Sequence, residues 1–324
     1  MSVPQVTIFR SAQEMAGLRP AWEFLSTSGR TTIFQDFHWN LLALTMFAGR
    51  EEPFVVCAKT SYGVAIVPAA IRRTDSTLRL LGEELFDYRG FLHQGDDDVL
   101  GSALATLSQL ERPLEVVAVR QCDRSSALAD LEAIPFSVAP SVHCADRTPE
   151  EFASQHGRLA RNLRRLERLG FRMKIYDGKN TALLRSIYQR KAAQDPGSLF
   201  QDPIRIEFLA NAAIFHPRTF EIFALESGAQ LAAALVTLRD GLWRRFYTGW
   251  FDPALDKHSP GITLIYEATR QSLAAGLDCD YMTGSQPYKL RLATGSMPLF
   301  RLLATPRQLA GLDQTAGPEL RLAG

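Results

Sequence analysis

The sequence predicts an α/β protein (α+β) in which two related lobes follow one another along the chain. Some segments have apolar residues at the spacing typical of strands, and others have them at the spacing typical of helices. An apolar hairpin with a glycine-containing turn and a basic-acidic ending occurs twice, at residues 54–75 and 220–240. Between the two copies the pattern breaks, and Thr148 with Glu151 forms a new capping box. We therefore expect lobes at residues 1–145 and 146–324.

In the first lobe, a short strand at residues 6–9 precedes a helix that begins at a capping box of Ser11 and Glu14. Pro20 should kink or restart this helix, and Gly29 should end it. A second helix stops at Gly49, and the first hairpin follows. The remaining expected elements are a strand after Gly90, a helix near 99–110, and strands near 114–119 and 135–144.

The second lobe should begin with a long helix, residues 149–169, ended by Gly170. A strand at 171–176, helices at 181–194 and 203–215, and three strands at 219–225, 230–238 and 243–250 follow. A further amphipathic helix begins at Ser259-Pro260-Gly261 and ends at Gly276, and the next strand is expected at 279–282.

The composition is that of a globular protein without a wholesale nucleic-acid surface. The 324 residues include 36 basic and 35 acidic ones, for a net charge of +1. The four cysteines are far apart and form no C-x-x-C pair, which disfavours zinc and a disulfide framework. No metal-ligand cluster is expected. Because no leader pattern and no run of about 20 apolar residues occurs, we expect a cytoplasmic protein.

Two features point to anion binding. A strand that feeds into the helix start at Ser259-Pro260-Gly261 offers unpaired first-turn N–H groups to a phosphate, although the same residues are also an ordinary helix start. The helix at 149–169 carries Arg158, Arg161, Arg165 and Arg168 on one stripe, with Arg164 at its edge. This stripe fits an anionic partner as well as it fits a solvated basic face.

Candidate catalytic groups cluster near the last strand. Asp280 is an acidic residue in a short central strand and is therefore a candidate general base. Lys289 follows in a loop, where it could stabilise an oxyanion or simply be a surface lysine. The sequence contains no G-x-S-x-G, P-loop or G-x-G-x-x-G motif, so direct transfer between two bound substrates suits it better than covalent or metal catalysis.

A series of short motifs, weak singly but specific in their order, resembles the CelD/BcsL-like acyltransferases of the GNAT (acetyltransferase) superfamily, which are related to the Fem peptidyltransferases. In the first lobe the motifs are Phe34, Gln35 and Trp39, then Leu81, Gly82, Asp87, Tyr88 and Gly90. In the second lobe they are Arg161, Arg164, Arg165, Glu167 and Gly170, then Tyr247, Trp250, Phe251, Asp252, Pro253, Ser259, Pro260 and Gly261, and finally Asp280, Gly284, Tyr288 and Lys289.

The resemblance implies two tandem GNAT-like lobes, each a mixed, mostly antiparallel sheet flanked by helices, with the acyl-donor site in the second. It implies an N-acyltransferase that moves an acyl group from acyl-CoA, the co-substrate, to an amine or hydroxyl, in cell-envelope or polysaccharide metabolism. Donor contacts would come from Tyr247, Ser259, Gly261 and Ile262. Only Gly261 remains of the usual glycine loop, so acetyl-CoA is one candidate beside longer acyl-CoA, an acyl carrier protein or an aminoacyl-tRNA.

In the expected mechanism, Asp280 takes a proton from the acceptor amine, and Tyr288 or Lys289 stabilises the oxyanion or protonates the leaving thiolate. Substrate would be bound by Arg161, Arg164, Arg165, Asp87 and Tyr88. The acceptor is expected to be a small molecule or an envelope precursor. Two alternatives stay open: a Fem-like ligase dependent on aminoacyl-tRNA, for which RNA would be a partner, and a non-catalytic accessory protein of polysaccharide biosynthesis.

Overall fold

The chain folds into two units, and the computed structural model describes residues 3–27 and 31–312. The first unit comprises the described residues up to Ser137 together with those from Pro298 onward, and the second comprises Val138–Met297. The division expected from the sequence lay at residue 145 and gave the whole C-terminal end to the second lobe. The difference arises because the last strand pairs within the first unit, and pairing between distant segments leaves no local signal in the sequence.

The first unit is a mixed sheet with helices packed on it. Its elements are β1 (Gln5–Phe9), α1 (Ala12–Ala16), α2 (Arg19–Ser26), α3 (Phe37–Met46), β2 (Glu51–Lys59), β3 (Val64–Arg72), β4 (Leu78–Leu80), β5 (Leu92–Gln94), α4 (Asp97–Thr106), β6 (Leu114–Arg120) and the first half of β7 (Glu132–Val142). The antiparallel pairs are β1–β2, β2–β3, β3–β4 and β3–β5, whereas β4 and β6 are parallel.

Aromatic side chains fill one part of this unit. The ring of Phe34 lies 5.6 Å from that of Trp39, 5.8 Å from Phe86 and 6.0 Å from Tyr88, mostly edge to face. Gln35 stabilises the cluster through a hydrogen bond, in which its Nε2 donates to the Tyr88 carbonyl at 2.8 Å. Rings in this arrangement contribute packing energy beyond their buried area.

The second unit is a sheet of the same kind. Its elements are α5 (Pro149–Gln155), α6 (Gly157–Arg168), β8 (Arg172–Asp177), α7 (Thr181–Gln194), α8 (Pro203–Phe215), β9 (Phe220–Ser227), β10 (Gln230–Asp240), β11 (Trp243–Phe251), α9 (Pro260–Ala274), β12 (Asp278–Asp280) and α10 (Pro287–Leu292). Strands β8 to β11 form an antiparallel meander, β11 and β12 are parallel, and β12 pairs antiparallel with the end of β7.

Two further elements follow within the described residues: β13 (Gly295–Ala304), which pairs antiparallel with β6 from Leu299 onward, and α11 (Pro306–Ala310). The expectation of two hairpins that repeat one another is confirmed by β2–β3 and β9–β10. The helix end expected at Gly29 lies outside the described residues. Among the helices that the structure describes, none is long and apolar enough to cross a membrane.

The long helix expected at residues 149–169 is in fact two helices. Its start is as expected, because Thr148 and Glu151 form the complete capping box. The backbone then leaves helical geometry at His156 (φ −109°, ψ 34°), where α5 ends and α6 begins. Gly157 follows directly, and glycine is a poor helix former, so the break falls at the weakest point of the run.

Candidate active site

A cavity of about 420 Å³ opens in the second unit at the carboxyl ends of β11 and β12. These strands pair over three residues only, from Trp243 with Asp278 to Arg245 with Asp280. The cavity lies beyond the last pair. Its lining includes Ala234, Leu235, Phe246, Tyr247, Gly249, Trp250, Phe251, Ser259, Gly261, Ile262, Ile265, Tyr281, Tyr288 and Lys289. A largely apolar cleft with a few convergent polar groups is the usual form of a ligand site.

A β-bulge shapes one wall of this cavity. In the ladder between β10 and β11, Val236 pairs with Thr248 and the next residue, Thr237, pairs with Phe246, so Tyr247 is the extra residue. A bulge bends its strand and redirects the side chains around it. The simple alternation of side chains read from the sequence misses this shift, which brings Tyr247 into the cavity lining.

The start of α9 forms a second wall. Ser259 precedes the helix in a left-handed conformation (φ 50°), and its side chain makes no capping hydrogen bond. Pro260 has no N–H, so the first-turn donors here belong to Gly261 and Ile262. A Cβ on residue 261 would lie 3.1 Å from Cδ1 of Phe251, closer than side chains normally pack. Glycine at this position therefore lets the helix start lie directly against β11.

Besides Tyr247, two tyrosines line the cavity, and they differ in burial. Tyr281 is fully buried, and its hydroxyl lies 3.0 Å from Oγ1 of Thr269 while its ring packs on Phe246. Tyr288 is half-buried on α10, and burial raises the pKa of its hydroxyl. A tyrosine whose pKa lies above its usual value stays protonated at neutral pH, so Tyr288 is a proton donor facing the cavity.

Asp280 and Lys289 hold the turn that follows β12. The buried carboxylate of Asp280 accepts from Nη1 of Arg245 at 2.5 Å and from the N–H of Met282 at 2.8 Å. Nζ of Lys289 donates to the carbonyls of Met282 and Thr283 at 3.3 and 2.8 Å. Met282 has a left-handed backbone (φ 62°), which is strained for a residue with a side chain. Both charged groups thus stabilise a strained turn beside the cavity.

Comparison with known proteins identifies the family of the segment that forms the cavity. Residues 153–290, which span the cavity walls and both flanking helices, match the model of the acetyltransferase (GNAT) domain. Residues 153–290 therefore form a GNAT-family domain. No curated protein is detectably similar in sequence to the chain.

Solved structures confirm the fold expected for the whole chain. FemX superposes with a TM-score of 0.63 at 11% identity, over 95% of this chain and 99% of that one. The C-terminal domain of a putative lysylphosphatidylglycerol synthetase from Agrobacterium fabrum gives 0.60 at 10% identity, over 93% and 96%. A tandem GNAT protein from the clavulanic acid biosynthesis pathway gives 0.50 at 10% identity, over 93% and 99%. At such identities the likeness concerns the fold, which is that of two GNAT lobes.

The structure brings part of the expected site together in the GNAT domain. Tyr247, Ser259, Gly261, Ile262, Tyr288 and Lys289 all line the cavity. Asp280 is not among the lining residues and has its carboxylate engaged by Arg245. The arginines at 161, 164 and 165 lie exposed on α6. Asp87 and Tyr88 belong to the first unit, where Asp87 is half-buried and Tyr88 is a fully buried member of the aromatic cluster.

The second unit also contains a polar cluster that the sequence did not reveal. Nδ1 of His143 lies 3.1 Å from Oδ2 of Asp278, and Oγ of Ser141 lies 3.5 Å from Nε2 of His143. Although burial opposes ionisation of Asp278, the N–H of Cys144 and the imidazole of His143 lower the pKa of its carboxyl. These residues lie at the amino end of β12, whereas the cavity opens at its carboxyl end.

Proposed function

We propose that the protein is an N-acyltransferase that moves an acyl group from a thioester donor, acyl-CoA in the simplest case, to an amine or hydroxyl acceptor. One observation carries this proposal: a single cavity of about 420 Å³ is bounded by the bulged strand β11, the open start of α9 and the protonated Tyr288. Thioester transfer needs these three things, a channel for the acyl chain, an anion site and a proton donor.

The donor is held along α9. Its phosphate accepts hydrogen bonds from the N–H groups of Gly261 and Ile262, assisted by the helix dipole and by Ser259. The thioester lies along Tyr247 and the apolar side chains of β11. Ala234, Gly249 and Ile265 also line the cavity of about 420 Å³, so we expect donors with longer acyl chains to suit the site.

In the reaction, the acceptor nitrogen attacks the thioester carbonyl, the new C–N bond forms, and the C–S bond breaks. The nitrogen loses one proton and the sulfur gains one. Tyr288 donates its proton to the leaving thiolate and recovers a proton from the nitrogen through water, so the phenol is unchanged after each turnover. This route does not require a separate carboxylate base.

Asp280 acts as a positioning residue in this mechanism. Its carboxylate is neutralised by Arg245 and accepts from the Met282 N–H, so it orients the turn that leads to Tyr288. Lys289 fixes the same turn through two carbonyls. Its positive charge also lies at the cavity wall, where it favours the oxyanion. The acceptors to test first are amines of envelope precursors, because the fold is shared with FemX and with a lysylphosphatidylglycerol synthetase domain.

The test is transfer of radiolabelled acyl groups of increasing length from acyl-CoA to a panel of amines, with Gly261→Leu as the inactivating variant. The added side chain would be forced against Phe251 and would block the donor channel. We expect product with the native protein and at least about a 100-fold lower rate with the variant.

Gly49→Leu is the matched control, because a Cβ at residue 49 meets no atom within 4 Å. It should leave the rate unchanged. Equal rates in the two variants would overturn the donor site. Transfer from aminoacyl-tRNA alone would make the protein a Fem-like ligase, and absence of any transfer or donor binding would make it a non-catalytic accessory protein.

A further inference from the structure

One face of α6 carries a row of arginines, and Glu167 is the only carboxylate within the run. Arg158, Arg161, Arg164, Arg165 and Arg168 are all exposed. Within residues 3–27 and 31–312, none of the five forms an ion pair with a carboxylate. We call this surface the arginine face. Like charges three and four residues apart repel one another, so the helix gains from an anionic partner.

Many of the other cations of the second unit form ion pairs with carboxylates. Lys174, Arg185, Lys191, Arg205, Arg244, Arg245 and Arg270 each lie within 4.0 Å of a carboxylate oxygen. The arginine face therefore stands out as a compact patch about 15 Å long, the length of three helical turns. Charge complementarity predicts a partner with an acidic surface of about one helix in length.

The arginine face borders the donor site. The opposite side of α6 packs on α9 and on the 3-10 turn Pro253–His258, which precedes α9 in the chain. Leu159 and Leu163 of α6 belong to the same apolar cluster as Leu255 of that turn and Ile262 of α9. Gly261 and Ile262 provide the N–H groups for the donor's phosphate. A partner on the arginine face would therefore bind one helix away from the donor's phosphate site.

The helix start suits a donor with one phosphate. Pro260 has no N–H to donate, and the Ser259 side chain makes no capping hydrogen bond. Two backbone donors therefore remain at the helix start, the N–H groups of Gly261 and Ile262. CoA carries a pyrophosphate and a further phosphate, whereas a carrier protein holds its acyl chain on a phosphopantetheine arm joined to a serine through one phosphodiester. That phosphodiester lies at the carrier's own surface. Binding it at Gly261 would therefore bring the carrier into contact with neighbouring α6.

We infer that the arginine face docks the acidic helix of an acyl carrier protein, which delivers the acyl group to the cavity on its phosphopantetheine arm. The inference rests on the proposed acyl transfer and names its donor. A structured RNA fits less well, because RNA-binding surfaces extend over wide basic areas. Here the net charge of the chain is only +1.

The experiment compares three donors that carry the same acyl chain: acyl carrier protein, acyl-CoA and acyl-pantetheine, the arm without phosphate or protein. The variant is Arg161→Glu/Arg165→Glu. We expect KM for the acyl carrier protein to rise by about tenfold or more, and to rise with salt in the native protein. The rate with acyl-pantetheine should not change. The control is Lys179→Glu/Arg218→Glu, an equal charge change at exposed positions of the same unit, which should leave all three rates unchanged.

The outcomes separate the inference from the function on which it rests. No transfer from any of the three donors by the native protein overturns the acyltransferase proposal itself. Transfer from acyl-pantetheine with an unchanged KM for the carrier in Arg161→Glu/Arg165→Glu overturns the docking surface alone, as does a native preference for acyl-CoA over the carrier. Loss of tRNA binding in this variant, with carrier transfer intact, assigns the face to RNA instead. Urea unfolding of both double variants confirms that the fold is retained.

Discussion

Two aromatic clusters, one in each unit, differ in how they are packed. In the first unit, Phe34, Trp39 and Tyr88 are at most 1% exposed and pack against one another. In the second unit, Phe246, Trp250 and Phe251 border a cavity of about 420 Å³, and Tyr288 faces it with its hydroxyl protonated. Both units contain the same kind of sheet and hairpin. The difference shows that a related framework can be filled as a core or left open as a site.

Local features account for the open state of the second unit. Strands β11 and β12 pair for three residues and then part, Tyr247 bulges out of the ladder, and Gly261 brings a helix start against Phe251. In the first unit the aromatic cluster is tightly packed: a Cβ on Gly82 would lie only 2.5 Å from the Phe86 ring. An open site thus depends on a few backbone irregularities rather than on the fold as a whole.

Phe34→Ala should have the largest effect on stability. Removing a ring that touches three other aromatic residues leaves a cavity, and we expect the free energy of unfolding to fall by about 3–5 kcal/mol. Phe251→Ala, its counterpart at the open cavity, should cost only about 1 kcal/mol because the side chain is half-buried. Urea denaturation measures both. Equal losses would show that the two units do not differ as described.

Asp280→Asn tests whether the buried charges beside the cavity stabilise the fold rather than take part in the reaction. The variant leaves the buried Arg245 with one carboxylate, Asp240 at 2.7 Å, and weakens the bond to the Met282 N–H. Breaking a buried pair costs about 3 kcal/mol, so we expect a loss of stability of this order by urea denaturation. A variant that is as stable as the native protein but has lost its activity would instead return Asp280 to the role of general base.

The sequence predicted the fold well because the fold rests on local patterns. Hairpins, capping boxes and the helix start at Ser259-Pro260-Gly261 are all carried by neighbouring residues. The return of β13 to the first unit could not be predicted in this way, since its partner β6 lies almost 180 residues earlier in the chain. The split of the long helix at His156 was also missed, although Gly157 was a signal for it.

For the site, the sequence identified the right stretch but not the state of each group. The residues of α9's start and of α10 do line one cavity. The ion pair of Asp280 with Arg245 spans two strands, and the contact of His143 with Asp278 joins residues 135 positions apart. No spacing in the sequence encodes such pairs. Whether a carboxylate is a base or a structural anchor depends on which cation the fold places beside it.

Tyr288→Phe should have a smaller effect than the core substitutions, and its effect should appear in catalysis. The ring remains, so stability should hardly change, whereas loss of the proton donor should lower kcat by about 100-fold, or ~2.7 kcal/mol of barrier. Burial raises the pKa of Tyr288, and only the protonated phenol can donate. The native rate should therefore stay level from neutral pH upward and fall only above about pH 10, the ordinary tyrosine value. In Tyr288→Phe this alkaline fall should disappear while the low rate persists. A native rate that declines well below pH 10, or an alkaline fall that survives in the variant, would assign proton donation to another group.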